Sequence, residues 1–228
     1  MSDLNFLVGK SKDHITFDPQ FEKPIHKQTA TSFIALQSDA RKRGFDIGIL
    51  SGFRDFDLQL QVWNRKVNGQ SEILNAHGEP WDRTDASGQE IYEAITRWIA
   101  VPGSSRHHWG TDIDIFDRSS VTPDYKVRLE PSEFATTGPF GPFSKWLTNL
   151  IENGKSHGFF RPYDIYRGGV AVEPWHLSYG SVSSVYLDQF DLDTFRNAIQ
   201  NSEVLLKKEI LENIESYFNT HIKNVAAS

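Results

Sequence analysis

The stretch Ser104–Asp117, SSRHHWGTDIDIFD, holds two histidines and three aspartates in fourteen residues. From Asp112 onward the residues alternate. Asp112, Asp114 and Phe116 share one side and Ile113 and Ile115 the other, which is the period of a β-strand. Carboxylates are costly to desolvate unless something positive meets them. The stretch therefore predicts a strand whose acidic face requires a positive partner.

Outward from this strand the patterns are mostly helical. Residues 28–44, QTATSFIALQSDARKRG, read as an amphipathic helix with a basic last turn and Gly44 as its stop. FDIGIL alternates like a second strand and runs into SGFRD, and residues 55–67 predict a helix that closes at Gly69. After the turn-rich NAHGEPWDRTDASG, QEIYEAITRWIA reads as a helix ending before Pro102-Gly103. Arg118 to Pro142 reads as a long excursion, either a lid or binding wall or a disordered segment. FSKWLTNLIENGKSHG is helical, with Trp146, Leu147, Leu150 and Ile151 on one stripe. GVAVEPWHLSYG reads as strand, with Pro174 demoting part of it to an edge or bulge. From Asp191 the chain is helical, ending in the amphipathic EVLLKKEILENIESYFNTHI. The sum is α+β. It is expected as one domain over residues 1–228, with a motif-bearing core at about 28–180 and a C-terminal helical extension at about 182–228.

Composition narrows the function. A formal net charge of −6 argues against a general binder of nucleic-acid phosphates. The absence of cysteine removes disulfides, thiolate nucleophiles and thiolate-held zinc together. No apolar run approaches a membrane span, and the N-terminus lacks the pattern of a secretory signal. The expectation is a cytoplasmic protein, or a periplasmic one if a leader had been removed.

Histidine and carboxylate spacing carries the chemistry. His107 precedes a tight turn at Gly110 and Asp114 follows on the strand, so a loop-to-strand bend converges the two side chains. His176 lies on a second predicted strand, with Glu173 three residues before it. Two imidazoles and a carboxylate, with a fourth position open for water, form the usual ligand set of a hydrolytic zinc site, and Glu173 is the candidate base. The helical His-Glu-x-x-His signature is absent, so a peptidase of this kind requires a different scaffold.

These residues carry a family resemblance. SRHHWGTDID resembles the S-x-H-x-x-G-x-A-x-D motif of the zinc D,D-peptidases, the VanY-type D-alanyl-D-alanine carboxypeptidases and VanX-type D,D-dipeptidases, and EPWH resembles their E-x-W-H. SGFRDFDLQ is similar to the segment preceding the metal motif, including a Gln five residues after the Arg, and WLTNLIENGKSHGFFRPY to the segment between the two motifs. The four segments run in family order across residues 46–180.

The resemblance implies a small antiparallel sheet flanked by helices, with a zinc site in a cleft on the sheet. It implies one Zn²⁺ per chain on His107, Asp114 and His176, Glu173 as general base and acid, and Arg54 supporting the substrate carbonyl. Ser105 then sits in the substrate cleft, and Trp175 and Trp109 wall the cleft or pack in the core. The implied activity is D-alanyl-D-alanine carboxypeptidase on peptidoglycan peptides or precursors. A D,D-dipeptidase and a cell-wall endopeptidase are alternatives within the family, and a non-catalytic zinc-stabilised binding module is one outside it.

Asp112 departs from the family pattern, which has Ala there. Sharing a face with Asp114, it has three readings: acceptor for a ligand imidazole, captor of a substrate ammonium, or partner of a nearby arginine. His108 is expected behind the ligand or at the surface. His157 reads as a helix C-terminal cation. For Arg54, the residues alone suggest a surface ion pair with Asp55 or Asp57.

Overall fold

The structure, a computed structural model, describes residues 4–227. A short hairpin of β1 (Ile15–Thr16) and β2 (Ile25–His26) leads into α1 (Lys27–Arg41). His26 caps α1, its Nδ1 accepting from the Gln28 N–H at 3.1 Å. Then come β3 (Ile47–Ser51), α2 (Phe56–Val67) and α3 (Gly88–Thr96). Asp55 caps α2 by accepting from Leu58 N–H, and Ser87 with Glu90 closes a capping box on α3. β4 (Asp112–Asp117), α4 (Pro131–Phe134), α5 (Gly141–Glu152), β5 (Phe159–Phe160) and β6 (His176–Tyr179) follow. The chain ends in α6 (Gly180–Gln189), α7 (Leu192–Gln200), α8 (Lys207–Glu212) and α9 (Ile214–Tyr217), with a wide helical turn at Phe218–Lys223.

β3, β4, β6 and β5 pair in that order, antiparallel throughout, which is the expected α+β sheet flanked by helices. Its faces are chemically opposed. Ile47, Ile49, Ile113, Ile115 and Leu177 are buried with Phe33 and Leu36 of α1 and Phe143 and Leu147 of α5. Burying side chains of this size stabilises by about 1.5–3 kcal/mol each. The alternate positions, Asp112, Asp114, His176 and Ser178, lie on the other face. A one-residue slip of β4 would drive two carboxylates into the apolar cluster, so its register is firmly set.

A second apolar cluster joins α2 and α3 to the C-terminal helices, where Phe195, Ile199, Ile210, Ile214 and Tyr217 meet Trp63, Tyr92 and Ile95. The expected continuous C-terminal helix is broken before α8. Leu205 leaves the helix to meet α2, its N–H donating to Asn64 Oδ1 at 3.0 Å and its carbonyl accepting from Trp63 Nε1 at 2.9 Å. GVAVEPWHLSYG is likewise strand only from His176 to Tyr179. Pro174 has no N–H for a ladder, and the Glu173 N–H is taken by the Tyr163 carbonyl at 3.0 Å. Among the described residues, no helix is long and apolar enough to cross a membrane.

The Arg118–Pro142 excursion is an ordered wall. Glu133 is buried at its centre and accepts from the N–H groups of Arg128 and Glu130 and from Tyr125 Oη. Residues 4–26 form a strap behind the Arg106–Gly110 turn. Trp109 Nε1 donates to the Leu7 carbonyl, Phe56 N–H to Gly9, and His26 N–H to Gly110.

Candidate metal centre and active-site cleft

Arg106–Trp109 form one 3₁₀ turn, which stops at Gly110 with φ +65. A side chain at Gly110 would collide with Ile15 and the His26 backbone, so only glycine fits. The turn delivers His107 onto the polar face of the sheet just before β4 begins. On that sheet Asp114 pairs with His176 of β6 on one side and Ser51 of β3 on the other, where the β3–β4 register shifts. His107, Asp114 and His176 are all buried and offer one ligand atom each, all within 4.8 Å of one another.

The hydrogen bonds fix which nitrogens face inward. His107 Nδ1 lies 2.9 Å from the Gly52 carbonyl and must donate to it, leaving the Nε2 lone pair 3.2 Å from Asp114 Oδ2. His176 Nε2 lies 3.1 Å from Asp112 Oδ1, so its Nδ1 lone pair faces Asp114 Oδ1 and Glu173 Oε2, both at 3.2 Å. Asp114 Oδ1 is buried without a hydrogen-bond partner. Lone pairs aimed at carboxylate oxygens repel unless a cation or proton lies between them. Burial opposes a charge on His176, yet the carboxylates of Asp112, Asp114 and Glu173 push the imidazole well above its ordinary range. Burial also opposes charge on Asp114, and His107 and His176 override it to hold the carboxylate well below its ordinary range. The site demands positive charge, and its donor set fits a divalent metal with a coordination position left open.

Glu173 and Arg54 flank this cluster. Burial raises Glu173 above the ordinary glutamate range, which His176 partly offsets. Arg54 is half-buried and makes no ion pair with Asp55 or Asp57 within 4 Å; Nη1 donates to Gln59 Oε1 at 2.9 Å, and Nε is buried without a partner. Burial lowers its pKa, and the charges of Asp114 and Glu173 work against that. Arg54, Ser105, Asp114, Glu173 and Trp175 all line one cleft of about 320 Å³, together with the apolar Ile73, Trp98 and Leu129. Trp175 also packs its ring, tilted by 49°, at 5.4 Å from Phe134 of the ordered excursion, so it both walls the cleft and packs.

At three positions the structure decides between the readings left open by the sequence. Asp112 is fully buried behind His176 and is not in the cleft wall; Arg106, Thr111, Ser178 and His176 occupy its oxygens. Trp109 is a core residue, fully buried against Tyr186 and Phe190. His108 is fully buried and not at the surface. Its Nδ1 donates to the Arg54 carbonyl at 2.7 Å, its Nε2 accepts from Gly103 N–H, and burial lowers its pKa to about 3. It thus braces the backbone that presents Arg54. His157 sits just past α5 at φ +55, its Nε2 2.8 Å from Asp39 Oδ2.

Two cleft residues escape the sequence reading. Tyr163 sets its ring 4.9 Å from His176, and burial raises its phenol well above its ordinary range, so it stays a neutral hydroxyl. Its only sequence signal is its place at the end of GFFRPY. Arg106 also lines the cleft, with Nη1 buried and unpartnered.

The family model of VanY, D-alanyl-D-alanine carboxypeptidase, matches residues 22–182. An uncharacterized protein of Haemophilus influenzae is 29% identical over 126 residues, covering 54% of this chain and 94% of that protein. A D-alanyl-D-alanine carboxypeptidase of Enterococcus faecalis is 28% identical over 148 residues, which cover 64% of this chain and 44% of that enzyme. Among solved structures, the vancomycin-resistance D,D-pentapeptidase VanY in complex with Zn(II) matches with a TM-score of 0.49 at 20% identity, covering 91% of this chain and 99% of that chain. VanYB in complex with D-alanine-D-alanine matches with a TM-score of 0.47 at 23% identity, covering 77% and 83% respectively. Since the family match takes in Arg54, the His107 turn and the whole of β6, this chain belongs to the VanY family of D-alanyl-D-alanine carboxypeptidases.

Proposed function

We propose that the chain is a zinc-dependent D-alanyl-D-alanine carboxypeptidase acting on peptidoglycan peptides or their precursors. The observation that carries this reading is the convergence of His107, Asp114 and His176 within 4.8 Å, their free nitrogens directed at Asp114 and Glu173 at hydrogen-bond range of His176. These three residues would hold the zinc, which would supply Lewis acidity for a bound water, whose pKa it would lower to about 7, and for the scissile carbonyl.

The chain's own groups do the rest. Glu173 takes a proton from the attacking water and delivers it to the leaving amine, a role suited to a carboxyl raised by burial. Arg54, held by Gln59 and open at Nε, meets the negative charge that grows on the carbonyl oxygen. Ser105 and Trp175 bound the space left for the peptide. A structural metal site normally closes its fourth position, so the flanking Glu173 and Arg54 favour catalysis over a binding module.

Metal analysis of the purified protein tests the site, with one zinc per chain expected and its loss in His176→Ala. Release of D-Ala from a peptide ending in D-Ala-D-Ala tests the activity. Unchanged zinc content in the variant would remove His176 from the ligand set.

A further inference from the structure

We propose that Arg106 and Asp112 are a buried, charge-balanced positioning pair for His176, fixing which of its nitrogens faces the metal site. This rests on the reading above of His176 as a metal ligand. The observation is the departure noted in the sequence: an aspartate stands where the family pattern has alanine, and the structure gives every one of its hydrogen-bonding positions an occupant.

Asp112 is fully buried, and each oxygen meets two donors. Oδ1 accepts from Arg106 Nε at 2.7 Å and from His176 Nε2 at 3.1 Å. Oδ2 accepts from Thr111 Oγ1 at 2.7 Å and Ser178 Oγ at 3.0 Å. Arg106 Nη2 donates to the same Ser178 hydroxyl at 2.6 Å, and the guanidinium lies 4.7 Å over the Trp109 ring. A carboxylate holds about four acceptor sites, so none is left for a substrate ammonium.

Two consequences follow for His176. With Nε2–H committed to Asp112, the lone pair is on Nδ1, the nitrogen that faces Asp114. A carboxylate acceptor on the far nitrogen also makes the imidazole more basic and orients its ring. Charge explains why Arg106 accompanies the aspartate. A dication on Asp114 and two neutral imidazoles leaves one net positive charge for catalysis, which a lone Asp112 would cancel. Arg106 restores it, so the hydrogen bond is gained with no change in the net charge of the site.

Variants separate this role from mere support of the fold. Asp112→Ala alone leaves Arg106 charged and unpaired in the interior, and is expected to unfold at lower temperature. Arg106→Met with Asp112→Ala removes both charges, and replacing a whole buried pair by apolar groups is often neutral for stability. The double variant is therefore expected to fold near normally yet bind zinc about 10–100-fold more weakly, the usual range for losing a partner behind a metal ligand. Zinc affinity is read by chelator competition, with wild type and His176→Ala alongside. Arg106→Met with Asp112→Asn, whose amide oxygen still accepts from Nε2–H, is expected to recover most of the affinity. A folded Met/Ala variant with wild-type zinc affinity would overturn the pair while leaving the metal site standing. Wild type that binds no zinc would overturn the metal site, and the pair with it.

Discussion

Gln59 accepts Nη1 of Arg54 on its Oε1 at 2.9 Å while its own amide donates to the Ala100 carbonyl at 2.7 Å, so an uncharged side chain aims the arginine. Arg54→Ala should therefore cut kcat by about 10²–10³, as loss of an electrostatic donor does. Gln59→Leu, which keeps the charge and loosens its aim, should lower kcat by less. Steady-state kinetics on a peptide ending in D-Ala-D-Ala checks both. A raised KM with kcat intact would reassign Arg54 to gripping the substrate carboxylate.

Glu173→Gln keeps the size of the side chain and removes its basicity. Zinc content and thermal stability should remain near wild type, with the rate down by about 10²–10⁴. Near-normal turnover in a zinc-replete variant would exclude Glu173 as the proton carrier.

The two tryptophans near the histidines should respond in opposite ways. Trp109 is fully buried, and Trp109→Ala should destabilise by about 3–5 kcal/mol in urea unfolding. Trp175 faces the cleft, so a conservative Trp175→Phe should raise KM while changing stability less.

His221 gives a pH dependence. It stacks at 4.4 Å on Tyr217, and burial lowers its pKa from 6.5 to about 4. In that interval the unfolded chain binds more protons than the folded one, so its contribution to stability is present above pH 6.5 and is lost as the pH falls toward about 4. His221→Phe keeps the stack and cannot titrate. Its melting temperature should drop less than that of wild type between those limits, in thermal scans across the range.

Asp112 bears on which end of the substrate is read. A dipeptidase must hold a free ammonium near the metal, and the sealed Asp112 carboxylate is not available for it. In competition between D-Ala-D-Ala and a pentapeptide with the same ending, D-Ala should come chiefly from the pentapeptide. Preference for the bare dipeptide would contradict this.

The sheet was legible because the alternation of aspartate and isoleucine from Asp112 sorts polar and apolar side chains onto the two faces, although both faces are buried. His107, Asp114, Glu173 and His176 were legible because a short turn and a short strand keep each pair close in sequence. Trp109 was not. Successive residues in a 3₁₀ turn point roughly 120° apart, so neighbours of a ligand in such a turn diverge to core or cleft without a periodic mark. Arg106 was legible only as an unnamed arginine near Asp112. Its meaning depends on Ser178, 72 positions away, which only strand pairing brings within reach. The broken C-terminal helix was likewise a tertiary decision, taken by Asn64 and Trp63 on a helix far upstream.

The strap behind the Arg106–Gly110 turn sets a limit on how small a working fragment of this protein can be made. A trimmed chain starting at Glu22, where the family match begins, would keep the His26 bond to Gly110 but lose Leu7 and Gly9. Trp109 Nε1 and Phe56 N–H would then lack their acceptors, and Trp109 would face the vacated space. A buried donor stranded in this way costs about 1–3 kcal/mol, here directly behind the turn that carries His107. Such a fragment would also lack Leu7, Val8 and Phe21, each buried in an apolar cluster, and is expected to be less stable and to hold His107 less firmly, which makes residues 4–21 a buttress for the fold and for the candidate metal site together.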